Sequence, residues 1–289
     1  MNALAVAPTP TLRYAPPVFA PGRGGLVVER VSGQSAVTAA WASSPLKLLV
    51  PRPRGSSVWA YLSSFGGGLV AGDETVLDLR LAAGTRAFLS TQASTKVYRN
   101  PHQRACGHRL GATLGADALL VFAPDPVQAF AGSSYVQRQE FRLQSGASLV
   151  LVDWFTSGRS ACGERWAFNR LQSRNEIFFG DERVLVDSLL LDPADGALAK
   201  PHRLGRFNCI ALVVLLGPAL REAAASVLAD VAQQPVTRRA PLVCSASAIR
   251  DGALLRIAGE HVEDVGREIH RQLRELGELL GDDPLARKW

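Results

Sequence analysis

The chain has 289 residues, of which 47% are hydrophobic and 20% charged, and it carries a net charge of +6. That is enough apolar material for one large folded unit or two ordinary ones, and it excludes a charge-rich disordered chain. The basic residues are scattered and carry no nucleic-acid motif, so the charge does not point to nucleic acid. Only four of the 32 basic residues are lysines; a surplus of arginine favours planar, bidentate contacts to carboxylates.

Residues 1–23 are rich in Pro and Ala and read as a flexible arm, with residues 24–289 as one domain. The arm lacks a basic segment followed by a long apolar one, so no signal peptide is expected. The most apolar run, Ile210–Leu216, is too short to cross a bilayer. Cys106, Cys162, Cys209 and Cys244 lie far apart with no CxxC pair, which reads as free thiols in a reducing compartment. A cytoplasmic protein with no membrane contact is therefore expected.

Short apolar runs at Gly24–Val31, Ala36–Ala42, Leu46–Val50 and Val58–Phe65 are punctuated by Pro45, Pro51, Pro53 and Gly55, which predicts strands. Gly66, Gly67, Gly68 and Gly72 then form a glycine-rich bend that closes on Asp73. In Thr75–Leu81, Leu77, Leu79 and Leu81 alternate with Val76, Asp78 and Arg80, a half-buried strand. A turn at residues 82–85 leads into a second extended run, Arg86–Gln92, and the pair reads as a hairpin. Polar residues Ser90–Lys96 crowd one of its ends.

Further strands are expected at Ala118–Phe122, Tyr135–Leu143, Ser148–Phe155, Val184–Leu191 and Ala253–Ile257. The mixed polarity of Tyr135–Leu143 suggests an edge or interface strand. Helical spacing appears twice, at Ala219–Ala232 and from Val262 to Leu280, the latter written as a C-terminal helix over 260–281. The absence of βαβ alternation argues against a Rossmann or barrel enzyme. The fold class is mostly β with two late helices.

The stretch GGGLVAGD (66–73), followed by STQASTKVYR (90–99), resembles the signature of the UreD (UreH) family of urease accessory proteins. Three later blocks are similar to that family and come in its order: Ala123-Pro124-Asp125-Pro126, VDWFTSGRSACGERWAF (152–168) and FNCIALVVLLGP (207–218). The resemblance implies an elongated, layered, β-helix-like fold and a scaffold rather than an enzyme. It implies that the protein binds nickel-free urease subunits, recruits UreF and, through it, the GTPase UreG, and passes nickel to urease through an internal tunnel. No tightly bound cofactor is implied, only a transient nickel ion. Association of copies through the complex stays open.

The candidate residues are weighed against simpler roles. Gly66-x-Gly68-x-x-Ala71 satisfies a relaxed dinucleotide pattern, but a strand follows where a phosphate site needs a helix N-terminus. Asp73 reads as a turn carboxylate on its own, and as an acid on the nickel route by the resemblance. The same holds for Glu164, which Arg159, Arg165 or Trp166 could also simply engage. Asp153 interrupts an apolar run, and a buried carboxylate costs several kcal/mol unless paired or hydrogen-bonded; Arg159 is the expected partner. Thr91, Gln92 and Lys96 offer a hydroxyl, an amide and an ammonium group. Weak oxygen ligands such as Asp73, Asp153, Glu164, Thr91 and Gln92 suit an exchanging ion better than a closed thiolate site. His102, Cys106 and His108 have metal-like spacing without a fourth ligand, and read as a solvated loop or a transient nickel contact. Two other classes remain: a hydrolase built on the Ser90–Lys96 turn, which lacks an evident base, and an assembly protein that handles no metal.

Overall fold

The computed structural model describes residues 20–287 except 53–54, 102–103 and 236. The arm predicted for residues 1–23 lies outside the described residues up to residue 19, and Arg23 already opens the first strand. In chain order the strands are β1 (Arg23–Val31), β2 (Gln34–Ala42), β3 (Leu46–Leu49), β4 (Val58–Ser64), β5 (Glu74–Leu81), β6 (Arg86–Thr91), β7 (Thr95–Val97), β8 (Cys106–Leu114), β9 (Leu119–Phe122), β10 (Val127–Ala129), β11 (Ser134–Leu143), β12 (Ser148–Thr156), β13 (Arg170–Phe179), β14 (Glu182–Leu191), β15 (Cys209–Leu216), β16 (Leu242–Ile249) and β17 (Gly252–Gly259). The helices are α1 (Arg221–Gln233), α2 (Val262–Gln272) and α3 (Leu276–Leu280). Among the described residues no helix is long and apolar enough to cross a membrane.

The strands form two facing sheets. One has seven strands in the order β14-β13-β11-β8-β5-β1-β2; the other has ten, with the path β16-β17-β15-β12-β9-β6-β4-β3. From β4 to β13 the chain crosses from one sheet to the other and back, laying each new strand on the main path beside the previous one of its own sheet. Parallel pairing follows: β5 with β8, β8 with β11, β11 with β13, and on the other sheet β4 with β6, β6 with β9 and β9 with β12. The expected mostly-β, solenoid-like architecture is thus found.

Two expectations are corrected. β5 and β6 are not a hairpin, because β5 pairs with β1 and β8 on one sheet and β6 with β4 and β9 on the other. The turn at 82–85 is an arc between sheets, and alternation within a strand cannot tell an arc from a hairpin. β11 is not an edge strand but is central, between β8 and β13. Its Gln137 and Gln139 face inward and are buried, which broke the apolar pattern that marks a central strand.

Alternation decides what each face does. Leu77, Leu79, Leu110 and Phe141 meet Leu89, Leu120, Leu149 and Leu151 between the sheets. The outer face of the ten-stranded sheet is apolar too, through Phe88, Val121, Val150, Val152 and Leu255. Val227 of α1 and Val265 and Ile269 of α2 cover it. Burial on both faces explains why β12 and β15 are continuous apolar runs. The C-terminal helix expected over 260–281 is split in two. Arg274 donates from Nη1 to the Arg271 carbonyl, 3.0 Å away, and so caps the end of α2. Leu276 and Leu280 of α3 then return to the same apolar layer. This helical pair covers the core.

The glycine bend before β5 is a close-approach device. Leu69 donates its N–H to Lys96 O (2.8 Å) and accepts from Tyr98 N (2.9 Å), so two strand-like segments touch here. A Cβ on Gly68 would stand 2.6 Å from Lys96 O and 2.6 Å from the Tyr98 ring. Gly68→Ala should therefore force the segments apart and cost about 1–3 kcal/mol, the range for overpacking a tight site. Urea denaturation of the two proteins measures it; equal midpoints would mean that the contact is not tight.

Candidate functional site

A polar layer lies inside this otherwise apolar sandwich. At one level across the seven-stranded sheet, Thr75 of β5, His108 of β8, Gln137 of β11 and Ser173 of β13 are neighbours in register. Two residues along, Gln139 and Asn175 are paired positions on β11 and β13. All are on inward-facing alternation positions. Beyond them the strands return to Leu79, Ala112, Phe141 and Ile177, an apolar level.

Asp153 faces this layer from β12. Its Oδ1 accepts from Gln137 Nε2 (2.8 Å), and its Oδ2 accepts from Ser173 Oγ (2.8 Å) and Asn175 Nδ2 (2.8 Å). Gln137 is held in turn by Tyr135, whose hydroxyl donates to Gln137 Oε1 at 3.0 Å. Burial raises the Asp153 pKa above the ordinary carboxylate value; the three hydrogen bonds oppose this, and the nearby Asp187 charge adds to it. Arg159 is not its partner, as the sequence had suggested. Neutral donors on two strands of the opposite sheet hold it instead, a solution that linear spacing cannot reveal.

A cavity of 260 Å³ opens beside this network, lined by Thr91, Gln92, Lys96, His108, Gln139 and Asp153 among others. Gly67 of the bend also borders it. A second, 590 Å³ cleft lies where β14 meets β16 and β17; Asp153, Asp187, Cys244 and Arg256 are among its walls. Asp153 thus lines both spaces. Asp187 and Arg256 join the two sheets across the cleft through an ion pair of 2.7 Å.

The other candidates fall into two groups. Thr91 Oγ1 donates to Asp125 Oδ2 (2.8 Å) and accepts from Asp125 N (2.7 Å), which fixes both residues at the cavity wall. Asp125, from the Pro-Asp-Pro turn, was not singled out as a site residue. Its signal was the matching block around it. Asp73 and Glu164 line neither space. Asp73 Oδ2 accepts from Val70 N (3.0 Å) and closes the glycine turn. Glu164 is gripped by the Arg159 guanidinium, accepts from Ala131 N (3.2 Å), and has its pKa lowered chiefly by that arginine. Arg159 itself lies over the Phe130 ring at 4.6 Å.

Of the trio His102, Cys106 and His108, the latter two do not lie in a solvated loop. His102 lies outside the described residues. Cys106 is buried, its Sγ donating to Ser134 O, and burial reinforced by the Asp73 charge pushes its pKa up to about 12. His108 lines the cavity with Nδ1 2.8 Å from Thr75 Oγ1, and burial lowers its pKa to about 4. Both belong to β8, which polar alternation had hidden. Among the described residues no three His, Cys, Asp or Glu side chains are grouped to hold a metal ion.

Because its folded pKa is raised above the ordinary 3.8, Asp153 contributes most to stability below that pH, and the contribution fades as pH rises through the folded value. Asn at this position lacks the charge. The stability of Asp153→Asn relative to the parent should rise from pH 4 to pH 7.5 in urea titrations; a flat difference would mean that Asp153 titrates normally.

Comparison with known proteins supplies the family context. The family model described as UreD urease accessory protein matches residues 20–289. A urease accessory protein UreD of Sorangium cellulosum is 51% identical over 93% of this chain and 84% of its own length. One from Anaeromyxobacter is 43% identical over 97% of this chain and 95% of its own. Urease accessory protein D of Arabidopsis thaliana is 35% identical, covering 91% of this chain and 99% of its own.

Proposed function

The chain belongs to the UreD family of urease accessory proteins, and we propose that it works as a non-enzymatic scaffold that conducts nickel to urease through the polar layer between its sheets. In this reading it binds nickel-free urease in the cytoplasm and receives the ion through UreF and the GTPase UreG. Nickel is cargo here, not a resident cofactor.

The observation that carries the reading is Asp153, a buried carboxylate common to the cavity and the cleft. A buried carboxyl group that neutral donors orient can exchange its proton for a passing cation. Thr91, Gln92 and Asp125 supply further oxygens on the cavity side, and Asp187 supplies another on the cleft side. Oxygen ligands hold a divalent ion loosely enough for it to leave again. Asp73 and Glu164, which line neither space, are proposed as secondary acids on the route. The hydrolase alternative gains no support from the turn: Ser90 Oγ donates to the Ala123 carbonyl and Thr91 is engaged with Asp125.

The test is nickel-dependent urease activation in cells that carry the parent or a variant, with co-purification of urease as a separate readout. Asp153→Asn should reduce activation at least about tenfold while urease still co-purifies. Asp73→Ala and Glu164→Ala should show smaller losses. Full activation by Asp153→Asn would remove the conduit reading and leave an assembly protein that handles no metal.

A further inference from the structure

Three buried polar atoms in the polar layer have no hydrogen-bond partner among the described residues: His108 Nε2, Gln139 Oε1 and Asn175 Oδ1. They sit on three consecutive strands, β8, β11 and β13, within two adjacent levels of the register. Leaving one such atom unsatisfied costs about 1–3 kcal/mol, so three together need a physical reason.

The tautomer of the histidine depends on where one hydroxyl proton goes. Thr75 Oγ1 donates to Gly107 O at 3.3 Å and lies 2.8 Å from His108 Nδ1. A hydroxyl has one proton. If that proton goes to the carbonyl, the ring must supply the other bond, from Nδ1–H. The Nε2 lone pair is then left free, at a buried ring edge on the cavity wall. A hydrogen bond at one ring nitrogen that readies the other for a ligand is the usual second partner of a metal-binding imidazole.

The remaining atoms have the same character. Asn175 spends its N–H on Asp153, which orients its oxygen elsewhere. Gln139 lines the cavity beside His108 and Asp153. Around one region the protein therefore presents an imidazole nitrogen, amide oxygens and a carboxylate, all of them acceptors. Such a set repels anions and hydrogen-bond acceptors and attracts a cation.

We propose that His108 Nε2, with Gln139 Oε1 and Asp153, forms a transient binding point inside the passage that selects borderline transition ions such as nickel over hard ions such as magnesium. The inference rests on the conduit reading and adds to it the basis of selectivity. Carboxylates and amide oxygens accept magnesium and nickel alike, whereas an imidazole nitrogen favours the transition ion. Asp153 supplies charge, and His108 supplies the discrimination. With so few strong donors the ion is held briefly and passed on.

Equilibrium dialysis of the purified full chain with Ni²⁺ alone and with Mg²⁺ alone tests this, comparing the parent, His108→Gln and Asp153→Asn. Thermal unfolding and circular dichroism establish that each variant is folded. His108→Gln is expected to weaken nickel binding at least about tenfold and leave magnesium unchanged, while Asp153→Asn weakens both. Loading the parent with Co²⁺ should give a paramagnetically shifted imidazole NMR resonance that His108→Gln loses. If His108→Gln binds nickel like the parent while Asp153→Asn does not, the histidine site is overturned and the conduit stands. If neither substitution changes nickel binding, the histidine site and the conduit reading both fall.

Discussion

A carboxylate between two β-sheets must be solvated by the protein itself, and much of this structure is arranged around meeting that need for Asp153. Left bare, the charge would cost several kcal/mol. Three donors from β11 and β13 meet it, and a fourth group, the Tyr135 hydroxyl, fixes the orientation of one of them. The donors reach it only because the two sheets are in face-to-face register. The solenoid-like winding is thus what makes a buried carboxyl group tolerable, and its hydrogen bonds in turn tie the sheets together at a level where apolar packing is interrupted.

The division of labour between the faces follows from this. The ten-stranded sheet is apolar on its outer side, where the late helices cover it, and mixed on its inner side. The seven-stranded sheet turns alternate, largely polar residues to solvent and contributes the neutral hydrogen-bonding side chains inside. Ion pairs such as Asp187 with Arg256 link the sheets at the margin, where solvent weakens them. The buried network and the marginal pairs are therefore different kinds of contact, although both involve an aspartate bridging two layers.

Much of the fold was legible in the sequence. The Leu77, Leu79 and Leu81 alternation, the apolar run of β12 and the α2 spacing each report a local period, and each element is found. What was illegible was the partner of each strand. Parallel coils bring together residues far apart in the chain, so Gln137, Ser173 and Asn175 carried no sign that they converge on Asp153. β8 and β13 were missed for a related reason: their inward positions include His108, Ser173 and Asn175, which look like surface residues in a linear reading. At the site, Asp153 declared itself by interrupting hydrophobic residues. Arg159, close in sequence, was the natural partner to expect, and it bonds to Glu164 because Gly163 turns the chain back at positive φ (78°).

The same winding has a consequence for how the molecule comes into being. β1 pairs in parallel with β5, some fifty residues later, and each later coil must find a template laid down well before it. Contacts so distant along the chain make for slow folding, because loops must close before any pairing rewards them. Until the last coils and the covering helices arrive, the growing sheet ends in bare hydrogen-bonding strands beside an uncovered apolar face. Such a surface is prone to self-association. The yield of functional protein would then depend on how quickly the late helices close over sheets begun long before them.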